Sequence, residues 1–180
     1  SNWIAFNDMS GPWSVGLNII NADGNIVYGN TVGQIAGSCI NIGASATNTL
    51  IQGNICSGAY GQFATGIQDG TSNAAAGCKF KDNFINGTGW HGIILQSNHS
   101  SATGNLVQGN NQITSGYGIV ATVGTSKFII SDNVIVPAST GSIHVETGSS
   151  DYYNIIGNMV EGVAVVDGGT GTHKTLTGNN

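Results

Sequence analysis

Three carboxylates, Asp69, Glu146 and Asp167, each close a short apolar run, in Ile67-Gln68-Asp69, Ile143-His144-Val145-Glu146 and Val163-Ala164-Val165-Val166-Asp167. Two carboxyl groups flanking one bond are what acid-catalysed glycoside cleavage requires, about 5–5.5 Å apart for retention or 6.5–9.5 Å for inversion. If the runs are equivalent strands in layers about 4.8 Å apart, acids one or two layers apart fall within that range. The three are therefore the candidate catalytic residues, with His144 on the same strand as Glu146 and placed to perturb its ionisation. The plainer reading is that acids at strand exits begin solvated turns, as in Asp23-Gly24 and Asp69-Gly70.

A second set is aromatic. Trp13, Phe63, Trp90 and Tyr117 stand one to three residues ahead of Gly16, Gly66, Gly92 and Gly118, with Ile35 in the same slot before Gly37 and with Tyr60 and His91 alongside. Stacked in layers, these rings form a stripe. Flat rings offer apolar faces to sugar C–H surfaces while Asn, Gln and Ser side chains bond the hydroxyls, which makes Trp13, Phe63, Trp90, Tyr117 and His91 the candidate carbohydrate-binding residues. The same rings serve equally as packing under corner loops or against another subunit. No metal or other cofactor is expected: the histidines and Cys39, Cys56 and Cys78 lack ligand spacing, and Asp167-Gly168-Gly169-Thr170-Gly171 lacks the repeated acids of a calcium turn. The cysteines read as small buried hydrophobes.

The elements that must position these residues come from a repeat. Leu50-Ile51-Gln52-Gly53-Asn54 returns almost letter for letter as Leu106-Val107-Gln108-Gly109-Asn110, and looser copies end at Asn30, Asn83, Asn133, Asn158 and Asn179. A self-similar period of 21 to 29 residues signals a solenoid. Each period holds three short strands with alternating apolarity, separated by Gly-rich corners, and no helical stripe occurs. The third strands are centred on Asn18, Asn41, Gln68, Ile94, Val120, His144 and Ala164. Stacking places Val27, Ile51, Phe80, Val107, Ile130 and Ile155 above one another inside, and Val32, Cys56, Ile85, Ile113, Ile135 and Val160 on the next face. Asn tolerates the sharp bend after Gly or Asp, and stacked amides can bond from coil to coil, so Asn30, Asn54, Asn83, Asn110, Asn133 and Asn158 form the expected structural ladder.

Composition narrows the partners. The four basic residues are Lys79, Lys81, Lys127 and Lys174, there is no Arg, and the net charge is −5, which argues against nucleic acid. No apolar run is long enough for a membrane span. A hydrophobic content of 39% with only 7% charged residues argues against disorder. Residues 1–180 read as a single domain, and because both termini fall inside repeats without polar caps, as a segment of a longer chain.

This repeat pattern, with its Asn ladder, resembles the right-handed parallel β-helix proteins of the pectin-lyase-like superfamily. The resemblance implies an all-β solenoid of about seven coils of three strands. Within that superfamily the Gly/Asn/Ser-rich, weakly charged coils are most similar to bacteriophage tailspikes, homotrimeric rods that bind or cleave bacterial surface polysaccharide. It implies recognition of O-antigen or capsule, possible glycoside hydrolysis, and a place in the virion tail or outside the cell. Outward Ile94, Val120 and Ala164 would supply an apolar face for a trimer to bury. Alternatives are a non-catalytic adhesin or autotransporter-like rod, and a secreted polysaccharide lyase or epimerase; the latter generally use basic residues, often Arg, and the missing Arg counts against them.

Overall fold

Strands of two to five residues, rich in Ile and Val and bounded by Gly, Asn or Asp, cannot form a sheet locally and must find partners one coil away. They do so in parallel throughout. The computed structural model describes every residue except 44, 71–76, 111–112, 137–139, 149–150 and 163–164. It is a parallel β-helix of about seven turns, built as three sheets of eight, seven and seven strands, with no helix among the described residues. Each strand pairs with its counterparts in the adjacent coils, the end strands of each sheet on one side only, so side chains in register form columns along the rod.

The inward columns fill the axis. In the first sheet the column is Ile4, Val27, Ile51, Phe80, Ala102, Ile130, Ile155 and Leu176. In the second it is Met9, Val32, Cys56, Ile85, Val107, Ile135 and Val160. The third contributes Leu17, Ile40, Ile67, Ile93, Ile119, Ile143 and Val165, together with the parallel column that starts at Ile19 and Ile42. Each fully buried Ile or Val contributes roughly 1.5–3 kcal/mol. Cys39, Cys56 and Cys78 are free and buried, Cys56 taking one second-sheet place.

The fifth coil corrects the expected register. Leu106–Gln108 belongs to the second sheet, so Val107 takes the place assigned to Ile113, which is 57% exposed. The first-sheet strand of that coil is Ser101–Thr103, whose one inward side chain is Ala102, next to Phe80 in the column. A large ring beside a small methyl fills the same length of axis as two medium side chains.

The ladder moves accordingly. It runs through Asn7, Asn30, Asn54, Asn83, Asn105, Asn133, Asn158 and Asn179, at sequence separations of 23, 24, 29, 22, 28, 25 and 21. At each step one Oδ1 accepts both the backbone N–H and the amide of the preceding Asn; Asn83 N and Nδ2 both lie 3.0 Å from Asn105 Oδ1. Asn105 Nδ2 in turn donates to Asn133 Oδ1 and to Phe80 O, both at 2.9 Å. Asn110 is not a rung: it is buried at the end of the second-sheet strand, and its amide makes no hydrogen bond among the described residues. The copies mislead because both corners use the same turn chemistry, a Gly at positive φ (Gly53 at 63°, Gly109 at 57°) before Asn.

Two further expectations change. The last third-sheet strand is Val165–Asp167; Val163 and Ala164 lie outside the described residues. Ile94 and Val120 do point away from the axial core, but they are 3% and 1% exposed, so they offer no open apolar face. An outward apolar column runs instead along the second sheet, through Ile55, Phe84, Leu106, Val134 and Met159. Of these, Ile55, Val134 and Met159 are exposed.

Candidate functional site

The corner leading into the third sheet is set by close backbone approach. A Cβ added to Gly92 would lie 2.3 Å from Val107 Cγ1 and 2.5 Å from Gly118 O; Gly66 and Gly118 meet Ile85 and Ile135 in the same way. Only Gly lets the third strand begin this near the second-sheet core, and the residues just before it are held at the rim of the rod.

Those residues form one continuous run of rings. Phe63 meets Trp90 edge-on at 5.5 Å, Trp90 meets His91 at 3.9 Å, His91 stacks over Tyr117 at 5.9 Å, and Tyr117 meets His144 at 4.3 Å. Through the third, fourth, fifth and sixth coils the run extends along the axis for roughly 15 Å. Trp90 is fixed by its Nε1–H donating to Ser115 O at 3.0 Å, and His91 Nδ1 accepts the Tyr117 backbone N–H at 2.8 Å. Phe63 is 62% exposed, while Trp90, Tyr117 and His144 are half-buried.

Burial pushes the His91 imidazole down to about 4, against the hydrogen bond from Tyr117 and with a smaller push from His144 in the same direction. Burial also lowers His144, partly offset by the Glu146 carboxylate. Both rings are therefore uncharged at neutral pH. Trp13 is equally exposed but stands two coils away from Phe63, beside Asp8 and Ser10. Tyr60 is also exposed and makes no ring contact among the described residues. Ile35 is buried and faces the core.

Outward from the third sheet, the stripe continues into a polar track. Asn41 Nδ2 donates to Asn18 Oδ1 and Gln68 Nε2 to Asn41 Oδ1, both at 2.7 Å, and the Thr65 hydroxyl donates to Gln68 at 3.3 Å. Rings and amides thus lie on one face, over six coils from Asn18 to His144.

The three carboxylates do not converge. Asp69 and Asp167 occupy one inward column with Leu95, Ala121 and Val145 between them, four coil steps or roughly 19 Å apart. Asp69 is fully buried, accepting from Gln96 N at 2.5 Å and from the Ser100 hydroxyl at 2.6 Å; burial pushes it up to about 6 in spite of both bonds. Asp167 pairs with Lys174 Nζ at 2.7 Å and with the Tyr153 hydroxyl. Burial would raise it, but Lys174, Tyr153 and Gly169 N together hold it below the usual carboxylate range. The register partner of Asp167 is Val145, so Glu146 lies one residue out of step, with its Oε2 accepting from Val123 N at 3.0 Å. Among the described residues, no three His, Cys, Asp or Glu side chains gather as a metal site would need.

The rod has structural counterparts. It is similar in fold to two epimerase modules. The A-module of Azotobacter vinelandii mannuronan C-5 epimerase AlgE4 superposes with a TM-score of 0.74 at 14% identity, over 98% of this chain and 57% of the module. That of AlgE6 superposes with a TM-score of 0.75 at 14% identity, over 99% and 57%. The chain thus spans less than three fifths of these modules, and at such identity the likeness is one of fold. No family model and no curated relative matches the sequence.

Four of the five stripe rings are among the residues expected from sequence to bind carbohydrate; His144, expected at the centre of a third strand and beside Glu146, is not. The contact that joins it to the stripe is with Tyr117, from the outward column it shares with Gln68 and Asn41.

Proposed function

We propose that this rod binds a polysaccharide lengthwise along the stripe from Phe63 to His144. The observation that carries the reading is the unbroken ring contact across four coils, a surface that repeats at the coil spacing as a polymer repeats along its own axis. The fold likeness to modules of enzymes named for mannuronan supports a polysaccharide ligand in general. The amides of Asn18, Asn41 and Gln68 are suited to sugar hydroxyls.

The finer reading is a tailspike-type recogniser of bacterial O-antigen or capsule, working in a virion tail or outside the cell. In that reading rods assemble as a homotrimer that covers the Ile55–Met159 column, which supplies the exposed apolar residues such assembly needs. Because Asp69, Glu146 and Asp167 do not face one bond, the proposal is recognition rather than cleavage by that trio.

Two variants test it. Phe63→Ala removes an exposed ring without touching the core, and Trp90→Ala removes the centre of the stripe. Titration with O-antigen or capsular oligosaccharides should show affinity falling about tenfold, or about 1.4 kcal/mol, for Trp90→Ala and several-fold for Phe63→Ala. Far-UV circular dichroism should be unchanged. Unaltered affinity in both variants would remove the stripe from any binding role.

A further inference from the structure

The placement of charge around the stripe names the class of polymer, an inference that rests on the reading of this face as a polysaccharide groove. We infer that the bound polysaccharide is built of uncharged sugars and that polyuronates are excluded.

A uronate chain brings one carboxylate per sugar, and each must meet a cation or remain hydrated. All four basic side chains of the protein lie elsewhere. Lys79 and Lys81 point outward from the first sheet, and Lys127 stands two residues ahead of the first-sheet strand Ile129–Ser131. Lys174, also on a first-sheet strand, is bound to Asp167 and to Gly169 O. On the groove face itself the ionisable groups are His91, Tyr117, His144 and Glu146. Both imidazoles are held neutral, and one nitrogen of His91 already accepts the Tyr117 backbone N–H. The remaining charge, Glu146, is negative and sits next to His144 at one end of the stripe. A carboxylated sugar there meets repulsion and no compensating cation.

What the face does supply is matched to neutral sugars. Rings from Phe63 to His144 take C–H faces. The Asn18–Asn41–Gln68 track and the Thr65 hydroxyl offer donors and acceptors without net charge. Nothing in this set discriminates in favour of an anion. The fold counterparts are named for mannuronan, a polymer of uronic acid, so this chain and those modules part company on ligand charge while sharing a backbone.

The experiment is binding of the intact chain to an array of bacterial glycans, neutral and uronate-containing, with polymannuronate included, at pH 7 and 150 mM salt. Wild type, Phe63→Ala and Trp90→Ala are compared. The expected result is retention on neutral glycans only, reduced several-fold by Phe63→Ala and about tenfold by Trp90→Ala. Binding to polymannuronate or other uronate glycans, sensitive to Phe63→Ala, overturns the inference and leaves the groove reading standing. Binding to no glycan, or binding insensitive to both Phe63→Ala and Trp90→Ala, overturns the groove reading itself.

Discussion

Replacing Asp69 by Asn should make the protein more stable at pH 7.5 and no more stable at pH 4. Asp69 lies in the inward column between Ile42 and Leu95, fully buried. Its bonds from Gln96 N and Ser100 favour the carboxylate, yet burial outweighs them and lifts the group from 3.8 to about 6. Between those values the folded protein holds a proton that the unfolded chain has lost. The contribution of Asp69 to stability is therefore greatest below pH 3.8, falls as pH rises to about 6, and stays reduced above. The lift from 3.8 to about 6 corresponds to about 3 kcal/mol. Asn keeps an oxygen for Gln96 N, and the Ser100 hydroxyl can rotate to accept from the new amide, at a cost of about 1 kcal/mol in bond quality.

The variant should thus gain about 2 kcal/mol at pH 7.5, equivalent to roughly 4–8 °C in melting temperature for a chain of this length. The wild-type profile alone would hide the effect. His91, pushed down from 6.5 to about 4 by burial, is charged in the unfolded chain but not in the folded one over that window, so it removes about 3 kcal/mol as pH falls. The two slopes oppose each other, and the difference between variant and wild type isolates Asp69. Urea denaturation followed by far-UV circular dichroism at pH 4, 5, 6 and 7.5 measures it. A gap that does not widen by about 3 kcal/mol across the series, or a variant less stable at pH 7.5, would refute the account of a buried carboxylate held against its solvation preference.

The ladder makes a paired prediction: Asn105→Ala takes the shared acceptor from Asn83 N and Nδ2 and the side-chain donor from Phe80 O and Asn133 Oδ1, the last keeping only the residue-105 backbone N–H, and should cost about 3 kcal/mol or more, whereas Asn110→Ala removes no side-chain bond and should cost under about 1 kcal/mol by the same denaturation assay. In the second-sheet column, Val134→Glu should leave the monomer fold intact and shift sedimentation from trimer to monomer; a wild-type protein that sediments as a monomer at all concentrations would end the trimer reading.

The inward half of the structure was legible because a solenoid repeats its constraints. Each coil must turn at a Gly or Asp followed by Asn, and must present one medium or large apolar side chain per short strand, so period and core columns can be read together. The reading failed where local chemistry was duplicated. Leu106-Val107-Gln108-Gly109-Asn110 satisfies the same turn rule as Leu50-Ile51-Gln52-Gly53-Asn54, but at the next corner of its coil. The true rung, Ser101-Ala102-Thr103-Gly104-Asn105, carries only Ala inward and so lacked the apolar signature. One clue in the sequence did distinguish them: Asn54, Asn83 and Asn133 are each followed directly by an apolar residue, Ile55, Phe84 and Val134, and Asn105-Leu106 shares this while Asn110 is followed by a second Asn.

The outward half was harder for a physical reason that also bears on function. An inward residue is constrained by burial, so an error of register puts a polar group in the core and can be noticed. An outward residue costs little wherever it falls, and only contacts between coils reveal its partners. Tyr117 and His144 are 27 residues apart and their rings are 4.3 Å apart, while Glu146 and Asp167, assigned to neighbouring coils, are out of step because Asp167 pairs in register with Val145. That one-residue offset leaves an ion-paired Asp167 on one column and a separate Glu146 beside His144. Chemistry on a β-helix is therefore decided by register between coils, and the stripe qualifies as the candidate site because its members touch across four of them.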